Sequence, residues 1–286
     1  MKEKITLLCT MLLVASTVLC GQEIIGSAAA NPVDSAASIT YDSSQYRVYY
    51  QLSRRKVPKG TKKEEGFTVL QIGKKGYVKN MDYATFRTDS IIRIAARNKE
   101  SMGSCFGKLM GLHKQVVLDI DLLFSPADNQ FVVQEKVPLS ERFQYTDDIK
   151  DLEWNMVEGD TIVADYKCQK ALTTFRGRDY IAWYAPEIAL PYGPYKFFGL
   201  PGLILCIYDT DRDYVFTLAG LQTINDYDPI FTKEKFIKES RENIQSMIAN
   251  YHADPSITIR NNSRIHIDEK DLGDIPPKPY NPIERQ

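Results

Sequence analysis

The sequence predicts a mainly β (α+β) fold, a curved antiparallel sheet or half-barrel with about two helices. Short apolar runs alternate with polar residues at the two-residue period of a half-buried strand. Turn-forming Gly, Pro, Asn and Asp residues separate these runs at hairpin-sized intervals. Only two segments carry apolar residues at helical spacing. The sheet must therefore cover its apolar face with few helices or by curling on itself.

The first half of the chain follows this pattern in order. Over 46–52, alternate residues are apolar and share one strand face. The basic stretch 54–63 is interpreted as a solvated hairpin loop, with binding to anionic lipid or polysaccharide as the alternative. A helix is expected over 90–99 with Ser90 as its N-cap. The strands predicted in this half cover 46–52, 67–72, 76–81, 116–124 and 130–136.

The second half continues the β rhythm and ends with one helix. Residues 158–160 and 176–178 are predicted turns. The apolar run 203–208 predicts a strand that is buried on both faces or central in the sheet. The elements predicted here are strands over 152–156, 161–170, 179–184, 203–208 and 214–222, and a helix over 232–251.

Composition excludes one class of partner. The 286 residues are 43% hydrophobic and 26% charged, enough for a substantial core. Because 36 Lys and Arg face 37 Asp and Glu, the net charge is -1. Nucleic acid is not an expected partner, since binding to phosphates requires a basic excess.

The N-terminus has the pattern of a secretory signal peptide over residues 1–21. Its apolar run, 5–19, is shorter than the roughly 20 residues that span a bilayer. We favour cleavage on either side of Gly21. Lipidation of Cys20 is the alternative, but the preceding residue is a leucine rather than a small one. The mature chain is expected in the periplasm or at the outer-membrane periphery, with no transmembrane segment.

Three further segments complete the predicted organisation. Residues 22–37 are small or polar and predict a flexible lead-in. Residues 38–270 are predicted to form a single β-rich domain. Residues 271–286 form a Pro-rich C-terminal tail.

The cysteines and histidines do not predict a metal or redox centre. Cys105, Cys168 and Cys206 remain in the mature chain, without a C-x-x-C pair. The sequence neither predicts nor excludes a disulfide between Cys168 and Cys206. The histidines, His113, His252 and His266, lack the spacing of zinc ligands. We therefore expect no metal and no cofactor.

Two acidic patterns have a chemical and a structural interpretation. Residues 209–213 place aspartates at alternate positions, as a calcium loop does, but Tyr214 and Gly220 stand where glycine and glutamate are required. A charged hairpin turn is favoured. Asp119 and Asp121 would share a strand face, where close carboxylates can support acid catalysis. A solvated strand face is favoured here too.

The densest aromatic segment is the candidate ligand site. Its rings could line a groove, although composition alone favours one side of the core. The candidate ligand-binding residues are Trp183, Tyr184, Tyr192, Tyr195, Phe197 and Phe198.

The same region carries a family resemblance. Residues 199–204 read GLPGLI and follow YKCQKA, FRGR and GPYKF segments. With these motifs, the chain resembles the GLPGLI family of exported Bacteroidetes proteins, and the likeness extends to 70–73 and 280–284. Tyr195 stands where the family often has tryptophan, and Phe198 where it often has a small or polar residue. The motif residues are Cys168, Gln169, Lys170, Gly177, Arg178, Gly193, Pro194, Lys196, Gly199, Leu200, Pro201 and Gly202.

The resemblance implies an exported envelope protein without an established reaction, so no catalytic residue can be assigned from it. It also implies kinship with periplasmic lipoprotein carriers, in which a half-barrel encloses an apolar cavity. We expect non-enzymatic binding of an apolar or peptide-like envelope ligand, or of an outer-membrane protein. One alternative is a hydrolase-like enzyme that uses Asp119, Asp121, His113 or Cys168. Another is a structural accessory of an outer-membrane transport complex.

Overall fold

The computed structural model describes residues 30–148, 152–260 and 275–285. The predicted signal peptide lies outside these residues, as do His266, half of the lead-in and part of the tail. The chain forms two compact units. One comprises the described residues up to Ser35 with Ala84–Gln115, and the other comprises Ala36–Tyr83 with the described residues from Val116 onward.

The second unit is a large open sheet. Its strands are β1 (Ser38–Arg55), β2 (Lys63–Gly73), β3 (Val78–Asp82), β4 (Ile120–Ser125), β5 (Gln130–Lys136), β6 (Arg142–Asp147), β7 (Asn155–Val163), β8 (Tyr166–Phe175), β9 (Arg178–Ala185), β10 (Leu203–Asp209), β11 (Tyr214–Thr223), β12 (Pro229–Lys233) and β13 (Ile237–Lys238). The strand order is β13-β6-β5-β4-β3-β2-β1-β11-β10-β9-β8-β7, and β12 pairs with β1. The predicted mainly β fold is confirmed.

One strand pair departs from the antiparallel pattern. β13 pairs with β6 in parallel, which makes the sheet mixed. The described residues also contain four helices rather than two. They are α1 (Tyr83–Arg97), α2 (Met102–His113), α3 (Arg241–Ala253) and α4 (Pro255–Arg260). None of these described helices is long and apolar enough to cross a membrane.

The core follows the predicted apolar alternation. Val48, Tyr50 and Leu52 on β1 are fully buried, while the residues between them are at least partly exposed. The apolar run of β10 is buried on both faces, because Ile204 and Leu205 point in opposite directions and both are inaccessible. This agrees with the predicted central strand.

Several predicted element boundaries are wrong for local reasons. Ser90 lies inside α1, where its hydroxyl donates to the Phe86 carbonyl instead of capping the helix. Residues 158–160 form a bulge within β7 rather than a turn, since its register with β8 shifts between Val157 and Asp160. The predicted helix 232–251 begins at Arg241, after β12 and β13.

The GLPGLI segment forms the turn that leads into β10. Gly199 has a φ of 94°, a conformation that side chains disfavour. A Cβ atom on Gly202 would lie 2.2 Å from the Ala185 carbonyl oxygen. Glycine is therefore required at Gly202 by the close approach of β9, and at Gly199 by the backbone conformation.

Candidate functional site

The aromatic segment mostly fills the interior of the sheet unit. Tyr184, Tyr195 and Phe197 are at most 3% exposed. The Phe197 ring packs edge-on against Tyr180 and Phe175, with centroids 4.7 and 5.6 Å apart. The space left beside this segment is about 10 Å³, room for no more than about one water molecule. These rings therefore contribute chiefly to the core.

The other three candidate rings, Trp183, Tyr192 and Phe198, are half-buried. Phe198 packs against Phe124 and Phe131, with centroids 5.6 and 5.9 Å apart. Of the six candidate residues, Tyr195 also lines a larger cavity described below. Ligand contact by each of the six residues stays a prediction.

Lys196, from the GPYKF motif, is fully buried between two carboxylates. Its ammonium lies 2.7 Å from Asp147 Oδ2 and 2.6 Å from Glu284 Oε1. Glu284 also accepts a hydrogen bond from the Tyr195 hydroxyl on Oε1 and two hydrogen bonds from Arg241 on Oε2. Burial by itself raises the pKa of Glu284, but the charge of Lys196 and these hydrogen bonds outweigh it and lower that pKa to about 2.

Arg178, from the FRGR motif, also binds the C-terminal segment, at Asn281, three residues before Glu284. Its guanidinium is buried and donates to Asp209 Oδ2 at 2.7 Å. It also donates at 2.6 Å to the Asn281 side chain and to the Pro282 carbonyl. The Tyr214 hydroxyl donates to the Asn281 carbonyl at 2.6 Å. Residues 279–285, here the C-terminal strap, are thus held by buried polar groups.

The C-terminal strap forms one wall of a cavity of about 170 Å³. The other walls come from α3, from the start of β11, from the ends of β1, β5 and β6, and from β4 with the residues before it. Apolar groups and tyrosines make up just over half of the lining, and its charged side chains are Arg54, Arg55, Lys56, Glu135 and Glu284. The lining residues used below are Leu118, Ile120, Ile248, Tyr145, Tyr280 and Glu135.

Glu135 is the most strongly perturbed carboxyl group of this cavity. It follows Phe131 and Val133 at two-residue spacing on β5, so it points to the same buried face. No hydrogen bond reaches its side chain from the described part of the chain. Burial raises the pKa of Glu135 to about 7, and the nearby Glu284 adds to the rise while Lys196 opposes it. A carboxyl group here changes charge near neutral pH.

Two neighbouring groups in the cavity are held neutral. Burial lowers the pKa of His252, whose ring stacks on Tyr280 with centroids 4.8 Å apart. Burial also raises the pKa of Tyr145 well above its usual range. Glu135 is therefore accompanied by neutral hydrogen-bonding rings, in a cavity that the charged side chains of Arg54, Arg55, Lys56 and Glu284 also line.

The comparisons with known proteins bear on the motif region. Residues 145–206 match the model of a family described as "Protein of unknown function (Porph_ging)". The predicted family resemblance is confirmed. The Porph_ging segment contains Asp147, Arg178 and Lys196, so it supplies several of the groups that hold the C-terminal strap.

Solved structures give a weaker likeness. The chain is similar to PNGF-II in a P21 crystal form, with 11% identity, a TM-score of 0.48, and coverage of 73% of this chain and 34% of that one. For PNGF-II in a C2 form the identity is 11%, the TM-score 0.47, and the coverage 72% and 33%. The aligned part spans about a third of the PNGF-II chain. No curated protein matched the chain.

The other GLPGLI motif residues have structural roles. Cys168 is buried, and Gln169 accepts a hydrogen bond from the Tyr184 hydroxyl at 2.8 Å. The Lys170 ammonium lies 5.9 Å from the centre of the Trp183 ring. Positive φ angles occur at Gly177 and Gly199, while Gly193, Pro194, Leu200 and Gly202 are buried and Pro201 is exposed.

The residues of the hydrolase-like alternative do not form one cluster in the sheet unit. Asp119 is ion-paired with Arg142. Asp121 is 3% exposed and lies 3.8 Å from Lys79 Nζ, so the solvated strand face expected for it is wrong. The strand order places β3, β2, β1, β11, β10 and β9 between β4 and the β8 residue Cys168. His113 belongs to the other unit, Ala84–Gln115 with the described residues up to Ser35, here called the helical unit.

The cysteines and the acidic turn have unremarkable surroundings. Cys105, Cys168 and Cys206 are free thiols. Residues 209–213 form the predicted turn between β10 and β11. Their three carboxylates lie within 4.8 Å of one another, but Asp209 and Asp213 are ion-paired with Arg178. The guanidinium thus occupies the place where a cation would bind.

Sequence reasoning missed Glu135 as a site residue, although a signal was present. On a strand whose Phe131 and Val133 face the core, a carboxyl group at the next position in phase must face inward as well. The roles of Arg241 and Glu284 leave no such trace, because they depend on contacts between distant segments.

Proposed function

We propose that this protein is an exported cell-envelope protein that binds a small, partly apolar ligand in the cavity beside the C-terminal strap. The observation that carries the proposal is Glu135, a carboxyl group that faces a cavity of about 170 Å³ and accepts no hydrogen bond from the residues that the structure describes. A concave pocket that combines apolar walls with placed polar and charged groups is typical of ligand sites. Export rests on the N-terminal pattern alone.

The cavity limits the ligand's size and chemistry. Its volume corresponds to roughly six water molecules by their share of liquid volume. Leu118, Ile120 and Ile248 would cover an aliphatic group. Glu135 would accept a hydrogen bond from an amino group, or pair with it when the carboxyl group is ionised. These requirements fit the amino-terminal end of a peptide-like ligand.

Calorimetric titration with dipeptides tests the proposal. The probes are dipeptides with a free amino group and one aliphatic side chain, and their N-acetylated forms serve as ligand controls. We expect binding of the free amines only, strengthening as pH rises through 7 because Glu135 then ionises. Glu135→Gln should abolish this pH dependence.

The matched protein control is Glu158→Gln, which makes the same change at an exposed position of β7. It should bind the dipeptides as the parent does. Equal binding of acetylated and free dipeptides, or no binding of either, would refute the proposed ligand class.

A second candidate function is acid–base catalysis by Glu135. It is favoured by one observation, a carboxyl pKa of about 7 inside a cavity, because proton transfer is most efficient near the working pH. An enzyme of this kind would convert the bound dipeptide rather than release it unchanged. Mass spectrometry of the mixture after long incubation separates the two functions.

A further inference from the structure

The helical unit has a small core of its own. Val33, Ala95 and Cys105 are buried in it, and Ile91 and Leu109 pack against them. Cys105 and Leu109 are four residues apart on α2, so one face of this helix points inward. The adjoining face, about 100° further round the helix, is left to meet something other than the unit's core.

That adjoining face carries large apolar side chains. Phe106 is 59% exposed and Met110 is 42% exposed, and their four-residue spacing places them on one side of α2. On α1, Ile94 is 55% exposed. Large apolar side chains grouped on an exposed helix face mark a surface that is used in binding.

Two glycines leave part of the α2 surface without side chains. A Cβ atom at Gly107 or Gly111 would meet no atom within 4 Å. Packing within the chain therefore does not require glycine there, although glycine is a poor helix former. A flat surface outside the chain could approach α2 closely at these positions.

The unit also carries a positive charge that the whole chain lacks. Residues 84–115 contain six Lys and Arg against two Asp and Glu, a net charge of +4, whereas the full chain has a net charge of -1. Arg97, Lys99, Lys108 and Lys114 are exposed. Lys114 follows Met110 by four residues and extends the apolar face with a cation.

We propose that the helical unit docks on an anionic lipid surface through α2. Helices that lie in a membrane interface combine an apolar face with lysine and arginine around it. The apolar side chains would enter the headgroup boundary, and the cations would pair with lipid phosphates. Nucleic acid is a poorer match because it would leave Phe106 and Met110 uncovered. This inference does not depend on the cavity or its ligand.

Vesicle co-sedimentation tests the proposal. The chain, purified in its exported form, is mixed with vesicles of equal parts phosphatidylglycerol and phosphatidylcholine, or of phosphatidylcholine alone. We expect binding to the anionic vesicles and its loss when NaCl rises from about 0.1 M to about 1 M, since salt screens the charges. Lys108→Gln with Lys114→Gln should weaken binding about fivefold per charge, or about 25-fold together.

The apolar contribution needs its own variant and control. Phe106→Ser with Met110→Ser should weaken binding at least about tenfold. The matched control, Met156→Ser with Ile162→Ser, removes two apolar side chains that are 62% and 70% exposed on β7, and should change binding less than about twofold. Circular dichroism verifies that each variant is folded.

Three results would overturn the proposal. They are equal binding to neutral and anionic vesicles, unchanged binding by both α2 variants, and an equal loss caused by the β7 control. Because all variants share the same N-terminus, any contribution from that segment cancels in the comparison.

Discussion

Lys196 is a buried cation whose two partners come from distant parts of the chain. Asp147 lies on β6, and Glu284 lies in the C-terminal strap. A buried charge is tolerated only when it is paired, and removing one member leaves the others uncompensated. The stability of this site therefore depends on all three residues together.

Replacing Lys196 with methionine should lower the free energy of unfolding by about 3 to 5 kcal/mol. The cause is the loss of the buried cation between two carboxylates, which then retain only Arg176 and Arg241 at their other oxygens. Urea unfolding followed by circular dichroism measures the change. Lys167→Met, at an exposed position of β8, is the control and should cost less than about 0.5 kcal/mol. Similar losses in both variants would contradict the assigned role.

Glu135 has the opposite effect on stability. Its pKa rises from an ordinary 4.5 to about 7 on folding, so the folded state holds a proton that the unfolded state has released. The free energy of unfolding should therefore fall as pH increases from 4.5 to 7, by up to about 3 kcal/mol. This cost is typical of a group kept for function rather than for stability.

Glu135→Gln should accordingly stabilise the protein above pH 7 and have little effect below pH 4.5. Glutamine keeps the size of the side chain and removes the buried charge. Urea midpoints at pH 4.5 and pH 8 measure the difference, with Glu158→Gln as the exposed control. A variant that is destabilised at pH 8 would show that the carboxylate is already satisfied inside the protein.

At the scale of elements, strands were more predictable than helices. Alternation located the β1 core face because Val48, Tyr50 and Leu52 keep a strict two-residue period. It missed β6, which is short and rich in polar residues. It also missed α2, where three glycines obscure the helical pattern. The bulge at Gly159 was mistaken for a turn because both use the same residue types.

The turn before β10 provides a test of two different glycine requirements. Gly202→Ala should destabilise the protein by more than about 3 kcal/mol, because its Cβ would lie 2.2 Å from the Ala185 oxygen. Gly199→Ala should cost about 1 kcal/mol, since only its φ of 94° is unfavourable and no atom lies within 4 Å. Thermal unfolding ranks the two variants. The reverse order would mean that β9 can move to admit the methyl group.

At the scale of the whole molecule, the site resisted prediction because its parts are far apart in sequence. The cavity is lined from β1 to the C-terminal strap, and no local pattern indicates that these segments meet. The family motifs were recognisable in the sequence, but their contacts with the C-terminal strap became apparent only in the structure. Arg178 and Lys196 hold that strap rather than a ligand.

The central position of β1 leads to a prediction about truncated chains. A chain ending at residue 209 lacks β11 and β12, so β1 would keep an unpaired edge along Tyr46–Arg54. We expect it to aggregate, as exposed edges do, and to sediment on centrifugation. A chain ending at residue 274 retains every strand and should stay soluble with a lower urea midpoint. A soluble, monomeric shorter chain would contradict this account.

The pairing of β1 also leaves one of its edges unpaired during synthesis. β2 can pair with β1 soon after both are synthesised, but Arg54 can pair with Tyr214 of β11 only after residue 214 has been synthesised. At ordinary synthesis rates that interval is roughly 10 to 30 s. Throughout it, a ladder of backbone donors and acceptors stands open to any neighbouring strand. We expect the nascent chain to need a chaperone that shields this edge until the second half has been synthesised.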